Sequence, residues 1–200
     1  MSERPVTPNQ TIGPFFHYAM TGSSYGVAEL VANDLTAGVA GEDDHRIRIV
    51  GRLADGAGQP IDDALIEIWQ ANREGRYAHP EDRQEKPLTE GFSGFGRCPT
   101  ADDGTFSFTT LKPGRVPGRG NSLQAPHISL RVFARGVLKH LTTRIYFADE
   151  IAANGEDPVL ESVDGARRAT LLAAPEAGDI PTYRFDIRIQ GDGETVFFDV

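Results

Sequence analysis

Short runs in which apolar and polar residues alternate dominate the chain from His45 onward. A period of two is typical of β-strands that bury one face, because successive side chains point to opposite sides of a strand. Clusters such as ADGAGQP, ADDG, KPG and GDG separate the runs and indicate turns. The runs are HRIRIVGRLA, ALIEIWQA, TFSFTTL, HISLRVFARG, HLTTRIYF, YRFDIRIQ and TVFFD. Several short strands joined by turns predict a mostly β fold, a β-sandwich or a barrel.

Two of these runs also predict which side chains fill the core. TFSFTTL places Phe106 and Phe108 on one face of a strand, because the two residues are two positions apart. HISLRVFARG places four apolar residues on one side and polar or aromatic residues on the other. The four are Ile128, Leu130, Val132 and Ala134.

The first forty residues are predicted to form a separate N-terminal region. TPNQTIGPFFHYAM mixes proline, glycine and aromatic residues without a period, which favours an extended arm that docks on a partner. YGVAELVAND favours a short helix, and TAGVAGEDD has the composition of a linker. We therefore expect an arm with a short helix over residues 1–40 and a β-sandwich domain over residues 41–200. Another helix is expected within ESVDGARRATLLAA, although Gly165 interrupts it.

Composition and charge exclude several classes of function. The 200-residue chain has a net charge of −9, and its densest basic cluster is the short one at Arg115 and Arg119, so no nucleic-acid partner is expected. Cys98 is the only cysteine, which favours a reducing compartment. The N-terminus lacks the apolar segment of a signal peptide, and no run approaches the roughly 20 apolar residues of a membrane span. We expect a cytoplasmic protein with no membrane partner.

Two segments contain residues with the chemistry of metal ligands. APHISL places His127 and Ser129 on the same strand face, where two histidines would form a metal-binding pair, but serine is a poor ligand for most metals. Tyr77 follows a strand and a turn in LIEIWQANREGRYAHPEDR, and a tyrosinate suits ferric iron because a hard trivalent ion favours anionic oxygen. From the residue pattern alone, a structural role is favoured for each of these side chains.

Taken together, several segments resemble the intradiol ring-cleaving dioxygenases. They are LIEIWQAN with GRY, GFGRCPTADDGTFSFTTLKPG, APHISL, YFADE and YRFDIRIQGDGETVFFD. The resemblance extends from about Thr7 to Val200. Some members of this family consist of two chains, and their α chain lacks an iron site. This chain is similar to that α chain in three segments, TPNQTIGPFFH, FARG and RIQGDGETVFFD. The family resemblance implies a β-sandwich and a catechol substrate whose ring is cleaved with O2.

The resemblance also implies where a catalytic chain of this family binds ferric iron. Its two tyrosine ligands correspond to Tyr77 and Val116, and its two histidine ligands to His127 and Ser129. An arginine of catalytic chains corresponds to Gln124. Since affinity for a metal follows the number and charge of its ligands, a tyrosinate and one imidazole are not expected to hold ferric iron. We therefore expect no metal site in this chain, and Fe(III) bound by a partner β chain.

The resemblance implies that the substrate pocket lies between the two chains. Thr11, Gly13, Pro14 and Phe15 of the arm are expected to line it, with Phe15 standing where α chains can carry a tyrosine. Arg135 of FARG is expected to bind the carboxylate of 3,4-dihydroxybenzoate, because a guanidinium makes directional, charge-assisted contacts with carboxylates. An acidic chain needs such a locally placed cation to capture an anion.

Three functions remain open on this basis. The first is an α subunit that cleaves 3,4-dihydroxybenzoate to 3-carboxy-cis,cis-muconate only together with an iron-bearing β chain, in the β-ketoadipate route of aromatic degradation. The second is a non-catalytic β-sandwich binding or assembly module. The third, a self-sufficient intradiol dioxygenase, is disfavoured by Val116 and Ser129. The arm and Arg135 favour the first, because a scaffold needs neither.

Overall fold

The computed structural model describes residues 10–11, 13, 20–22, 26–28, 30–40 and 45–200. Strands dominate the described part of the chain, as the alternating pattern predicts. They are β1 (Arg46–Ala54), β2 (Leu65–Gln70), β3 (Phe95–Pro99), β4 (Thr105–Leu111), β5 (Val116–Pro117), β6 (Leu123–Gln124), β7 (His127–Phe133), β8 (Leu141–Phe147), β9 (Leu172–Glu176), β10 (Thr182–Arg184) and β11 (Ile187–Arg188).

Nine of the strands in the described part form one sheet, and β5 pairs with β6 in a separate two-stranded ribbon. The order in the sheet is β11-β1-β10-β9-β8-β7-β2-β3, and β4 pairs with β1. Pairing of β2 with β3 and β7, and of β7 with β8, is antiparallel, whereas β8 pairs with β9 in parallel. The antiparallel β2–β7–β8 segment forms one side of the candidate site, and the segment 77–84 and the β5–β6 ribbon contribute the rest of its lining.

The long sheet closes over one hydrophobic core. Alternate residues of β1, β2, β4, β7 and β8 join a single cluster of buried side chains, although several of these strands are not hydrogen-bonded to one another. Phe106 and Phe108 are buried on one face of β4, with ring centroids 6.3 Å apart. The predicted inner face of β7 is also buried. The mostly β, sandwich-like fold is therefore confirmed, and its stability comes from apolar surface removed from water.

A crossover segment packs a second, smaller cluster against the outside of β8. Parallel strands need such a connection, and it contains α1 (Ile151–Gly155), α2 (Pro158–Glu161) and a 3-10 turn at Arg168–Leu171. Its apolar side chains cover the ring of Tyr146. The cluster comprises Ala125, Tyr146, Ala153, Leu160, Val163, Leu171 and Val196. This packing fixes the crossover beside the start of β7.

Some local predictions were wrong. The segment predicted as a helix around Gly165 is a turn followed by the 3-10 turn and β9, and the helices lie before it. YRFDIRIQ divides into β10 and β11, and TVFFD forms only an isolated bridge between Phe198 and Thr142. The described residues of YGVAELVAND form turns and bends rather than a helix. Pro14, Phe15 and most of the arm lie outside the described residues, so the division at residue 40 stays a prediction.

The Gly-rich segment GFSGFGR contains the start of β3. Gly94 has a φ of +76°, which gives the sharp bend, and Gly96 lies within the strand. A Cβ on Gly96 would approach the Leu35 side chain to 2.4 Å and Phe108 to 3.3 Å. The glycines therefore allow β3 to pack closely on the core. No helix in the described part of the chain has the length and apolar character needed to cross a membrane.

Candidate functional site

A cleft of about 680 Å³ opens beside β2, β7 and β8. All four positions that, by the family resemblance, are expected to correspond to iron ligands line it, and so does Gln124. They are Tyr77, Val116, His127 and Ser129. The structure therefore brings together residues that are up to 52 positions apart in the sequence, from Tyr77 to Ser129. Its volume falls within the range of small-molecule sites.

The β7–β8 pair sets the floor of the cleft. His127 and Ser129 occupy the same face of β7, because they are two residues apart. In the antiparallel register Tyr146 lies directly opposite His127, and Arg144 lies directly opposite Ser129. Side chains opposite each other in such a pair are close neighbours. A guanidinium is thus the cross-strand neighbour of the hydroxyl of Ser129.

A tight turn after β2 places Tyr77 against the aromatic wall. The Asn72 Oδ1 atom accepts hydrogen bonds from two backbone N–H groups of this turn, at 3.2 and 2.9 Å. Gly75 has a φ of +77° and no room for a Cβ, which would lie 1.9 Å from the backbone oxygen of Arg115. The backbone N–H of Tyr77 donates to Asp82 at 2.8 Å. The Tyr77 ring then stacks on Trp69, with centroids 5.8 Å apart and planes at 17°.

His127 is held in one neutral form. Its Nδ1 atom lies 2.8 Å from the backbone oxygen of Ala125, and because a carbonyl oxygen only accepts, Nδ1 carries the proton. Burial lowers the pKa of His127 to about 4, and repulsion by the Arg144 guanidinium adds to the decrease. The side chain is therefore uncharged at neutral pH. Its Nε2 atom remains as the hydrogen-bond acceptor of the ring.

The buried carboxylate of Asp157 fixes the backbone that holds His127. Asp157 accepts hydrogen bonds from the backbone N–H of Ala125 at 2.7 Å and from the Tyr146 hydroxyl at 3.2 Å. It also caps α2 by accepting from the backbone N–H groups of Val159 and Leu160, each at 2.8 Å. Asp157 is completely buried. Four donors therefore compensate the cost of burying this carboxylate.

Arg144 is the main source of charge inside the cleft. Its Nη1 atom donates to Gln124 Oε1 at 2.7 Å and to the Tyr146 hydroxyl at 3.3 Å. Burial raises the pKa of the Tyr77 hydroxyl; Arg144 opposes this increase and Asp82 adds to it. The phenol of Tyr77 is thus protonated at neutral pH. The cleft holds a fixed cation and a neutral phenol.

This set of side chains does not fit ferric iron. Val116 has no donor atom, and the hydroxyl of Ser129 is neutral and a weak ligand. The positive charge of Arg144 beside Ser129 disfavours a second, trivalent cation in the same cleft. Within the described residues, no three His, Cys, Asp or Glu side chains converge as a metal site. The cleft therefore offers hydrogen bonds and a cation rather than a metal centre.

The described residues that are expected to contact substrate do not line this cleft. Arg135 follows β7, is 80% exposed, and its Nε atom lies 2.9 Å from Asp63 Oδ2. The Thr11 hydroxyl accepts a hydrogen bond from the backbone N–H of Gly136 at 2.8 Å. The exposed Gly13 has no atom within 4 Å of where a Cβ would stand. Neither Arg135 nor Thr11 lines the cleft. Pro14 and Phe15 lie outside the described residues, so the role of this group stays a prediction.

Sequence reasoning missed Arg144, Asp157 and Trp69 as site residues. Asp157 had a local signal, because Asp followed by Pro is a typical start of a helix. Arg144 had no such signal, because the alternating pattern of HLTTRIYF predicts only on which face of the strand it lies. Its position opposite Ser129 depends on the register of β7 and β8. Only the folded sheet shows it.

Comparison with known proteins identifies similar chains over the whole length. The profile of a family described as dioxygenase matches residues 20–191. The chain is 42% identical over 204 residues to the protocatechuate 3,4-dioxygenase alpha chain of Burkholderia cepacia, covering 100% of both chains. It is also 35% identical over 158 residues to the protocatechuate 3,4-dioxygenase beta chain of the same organism, covering 75% of this chain and 66% of that one.

Solved structures show the same fold. The dioxygenase domain of a dioxygenase and carbohydrate-binding protein fusion from Streptomyces sp. SirexAA-E has a TM-score of 0.56. It is 24% identical, and the match covers 92% of this chain and 98% of that chain. At this identity the likeness concerns the fold alone.

The low pKa of His127 predicts a pH-dependent loss of stability. Since the folded-state pKa is about 4 and the ordinary value is 6.5, the unfolded chain binds the proton more readily between these values. The contribution of the neutral His127 side chain to the free energy of unfolding is therefore fully present above pH 6.5. It is lost as the pH falls through 4. Lowering the pH from 7 to 5 should reduce the free energy of unfolding of the unaltered protein. This decrease should exceed that of the His127→Gln variant by on the order of 1–2 kcal/mol. Urea denaturation of both proteins measures this difference, and equal losses would contradict it.

Proposed function

The chain belongs to the dioxygenase family, and from this membership we propose that it is the α subunit of a protocatechuate 3,4-dioxygenase. The observation that carries the proposal is the 42% identity to an alpha chain over the full length of both proteins. In complex with a β chain, the subunit takes part in the cleavage of 3,4-dihydroxybenzoate. O2 is the second substrate, and both of its oxygen atoms enter the product, 3-carboxy-cis,cis-muconate.

The proposal assigns Fe(III) to the β chain. Support comes from the donor set of the cleft, in which valine and serine stand at two ligand positions and Arg144 adds a positive charge. A beta chain is also among the relatives of this protein. The α subunit then contributes to binding and to the shape of the pocket. We place the complex in the cytoplasm without nucleic-acid or membrane partners, which the net charge of −9 and the single cysteine support.

Arg135 is the proposed binding group for the substrate carboxylate. Asp63 lies 2.9 Å from its Nε atom, which orients the guanidinium, and the two terminal nitrogens complete the planar fork of donors. Those two nitrogens suit a carboxylate, which accepts parallel hydrogen bonds from a guanidinium. The side chain is 80% exposed here, where ion pairs contribute about 0–1 kcal/mol. A covering β chain would exclude water and raise the contribution to about 1.5–3 kcal/mol.

The arm is proposed to form part of the pocket wall beside Arg135. The hydrogen bond between Thr11 and Gly136 supports this, because Gly136 is the next residue after Arg135. Gly13, Pro14 and Phe15 follow Thr11 closely in the chain and are proposed to continue the wall. A Gly-Pro bend allows the backbone to approach a flat ring.

Iron content and activity test the division of labour between the chains. The purified chain should be colourless and inactive, whereas co-purification with its β chain should give a coloured complex that cleaves 3,4-dihydroxybenzoate. The measurements are iron analysis, the visible absorption of iron-bound tyrosinate, and loss of substrate. A coloured, active chain alone would refute the assignment of iron to the partner. A complex that forms without activity would favour the binding or assembly module instead.

Replacement of Arg135 tests the carboxylate contact. Arg135→Ala in the αβ complex should raise KM for 3,4-dihydroxybenzoate by roughly tenfold to a hundredfold, because the charge-assisted contact is lost. KM for catechol, which has no carboxylate, should change little. Arg52→Ala, at an exposed arginine of β1, is the matched control and should leave both values unchanged. Equal effects of Arg135→Ala on the two substrates would rule out the carboxylate role.

Truncation of the arm tests its place in the pocket. Deletion of residues 1–16 should impair activity or assembly while the β-sandwich still folds, because the described hydrophobic core of the sandwich is built from Leu35 onward. Thr11→Val is the finer variant, since it removes only the acceptor for the Gly136 N–H, and a severalfold rise in KM is expected. Size-exclusion chromatography and steady-state kinetics separate the two effects. Full activity of the truncated complex would remove the arm from the site.

A further inference from the structure

The cleft retains the architecture of a small-molecule site although it does not suit iron. One wall is aromatic: Trp69 stacks on Tyr77, and Trp69 also meets the ring of His79 edge-on with centroids 6.4 Å apart. Val116 and Pro117 add apolar surface on another side. A flat aromatic ring gains both buried area and stacking contacts on such a wall.

Arg144 dominates the interior charge of this cleft. The other charged residues lie at its rim or are already engaged. Glu81 and Arg83 are 3.8 Å apart and strongly exposed, so they largely balance each other. The Asp82 carboxylate accepts from the backbone N–H groups of Tyr77 and Gln84. Among the described residues, Arg144 forms no salt bridge, and its guanidinium donates to the neutral oxygens of Gln124 and Tyr146. A half-buried guanidinium without a counter-ion is a receptor for an anion.

Neutral hydrogen-bonding groups surround the guanidinium. His127 uses Nδ1 to donate to Ala125, which leaves Nε2 as an acceptor. The hydroxyls of Ser129 and Tyr77 lie in the same cleft and can donate or accept. A ligand that carries a hydroxyl in addition to a carboxylate would therefore find partners for both groups.

We propose that this cleft binds a small planar aromatic carboxylate with a ring hydroxyl, with its ring on Trp69 and Tyr77 and its carboxylate on Arg144. The cleft volume of about 680 Å³ accommodates a one-ring ligand. Stacking, a charge-assisted hydrogen bond and an acceptor for the hydroxyl all come from this chain. The proposal rests on the geometry of the cleft and not on the function proposed for the αβ complex.

The fluorescence of Trp69 provides a direct test, because it is the only tryptophan in the chain. Titration of the full chain with 4-hydroxybenzoate should quench or shift this emission in a saturable way. Phenol has the same ring without the carboxylate and should bind at least tenfold more weakly. Inorganic phosphate should not compete, because it has no ring for the aromatic wall.

Two variants of Arg144 and one matched control locate the site. Arg144→Leu should weaken the affinity for 4-hydroxybenzoate by roughly tenfold or more. The affinity of Arg144→Lys should lie between those of Arg144→Leu and the unaltered chain, because lysine keeps the charge but lacks the planar fork of guanidinium donors. Arg52→Ala removes an exposed arginine of β1 that does not line the cleft and has no role in the proposed substrate contacts, and it should leave the titration unchanged. Near-UV circular dichroism shows whether each variant is folded.

Equilibrium dialysis of the αβ complex extends the test to the assembled protein. The Arg144→Leu complex should bind one 4-hydroxybenzoate fewer per αβ pair than the unaltered complex. An unchanged stoichiometry, an absence of saturable quenching, or equal affinity in Arg144→Leu would overturn the proposal. Competition by inorganic phosphate at the same concentration would also overturn it, because the site would then recognise an anion without its ring.

Discussion

The buried carboxylate of Asp157 connects three parts of the chain that are distant in sequence. It joins the helical crossover, where it caps α2, to the hydroxyl of Tyr146 on β8 and to the backbone of Ala125 before β7. Ala125 in turn holds His127 through its carbonyl oxygen. A buried charge needs such complete hydrogen bonding to be tolerated, so its four donors must come together in the folded state. The floor of the cleft therefore depends on the crossover, which does not itself line it.

The cleft shows how the same backbone supports different chemistry. The β7–β8 register places positions 127 and 129 side by side, as two metal ligands on one strand would require. In this chain one of the positions is serine and its cross-strand neighbour is arginine, so the electrostatic character is that of an anion receptor. Stacked Trp69 and Tyr77 keep the wall suited to aromatic rings. In this chain the cleft therefore combines a surface for an aromatic ring with a charge that favours an anion over a cation.

Local pattern predicted the strands better than the connections between them. The runs that became β1, β2, β4, β7 and β8 alternate over much of their length or are largely apolar, and burial of one face favours that pattern. Failures occurred where tertiary contacts override local preference. ESVDGARRATLLAA contains residues that favour helices, yet its end pairs with β8 and β10 as β9. A cluster of glycines such as that of GFSGFGR is typical of a loop, whereas Gly96 allows β3 to pack closely on Leu35.

The sequence by itself determined the sandwich and the absence of strong metal ligands at positions 116 and 129. A valine at 116 has no donor atom in any fold, and a serine at 129 is a weak ligand wherever it lies. Only the tertiary structure decided which charges face one another across the sheet. Arg144 meets Ser129 because the hydrogen bonds of β7 and β8 select one register, and a shift by one residue would point Arg144 to the other face. Such pairings join residues through hydrogen bonds between distant segments, and these leave no trace in the local pattern of either strand.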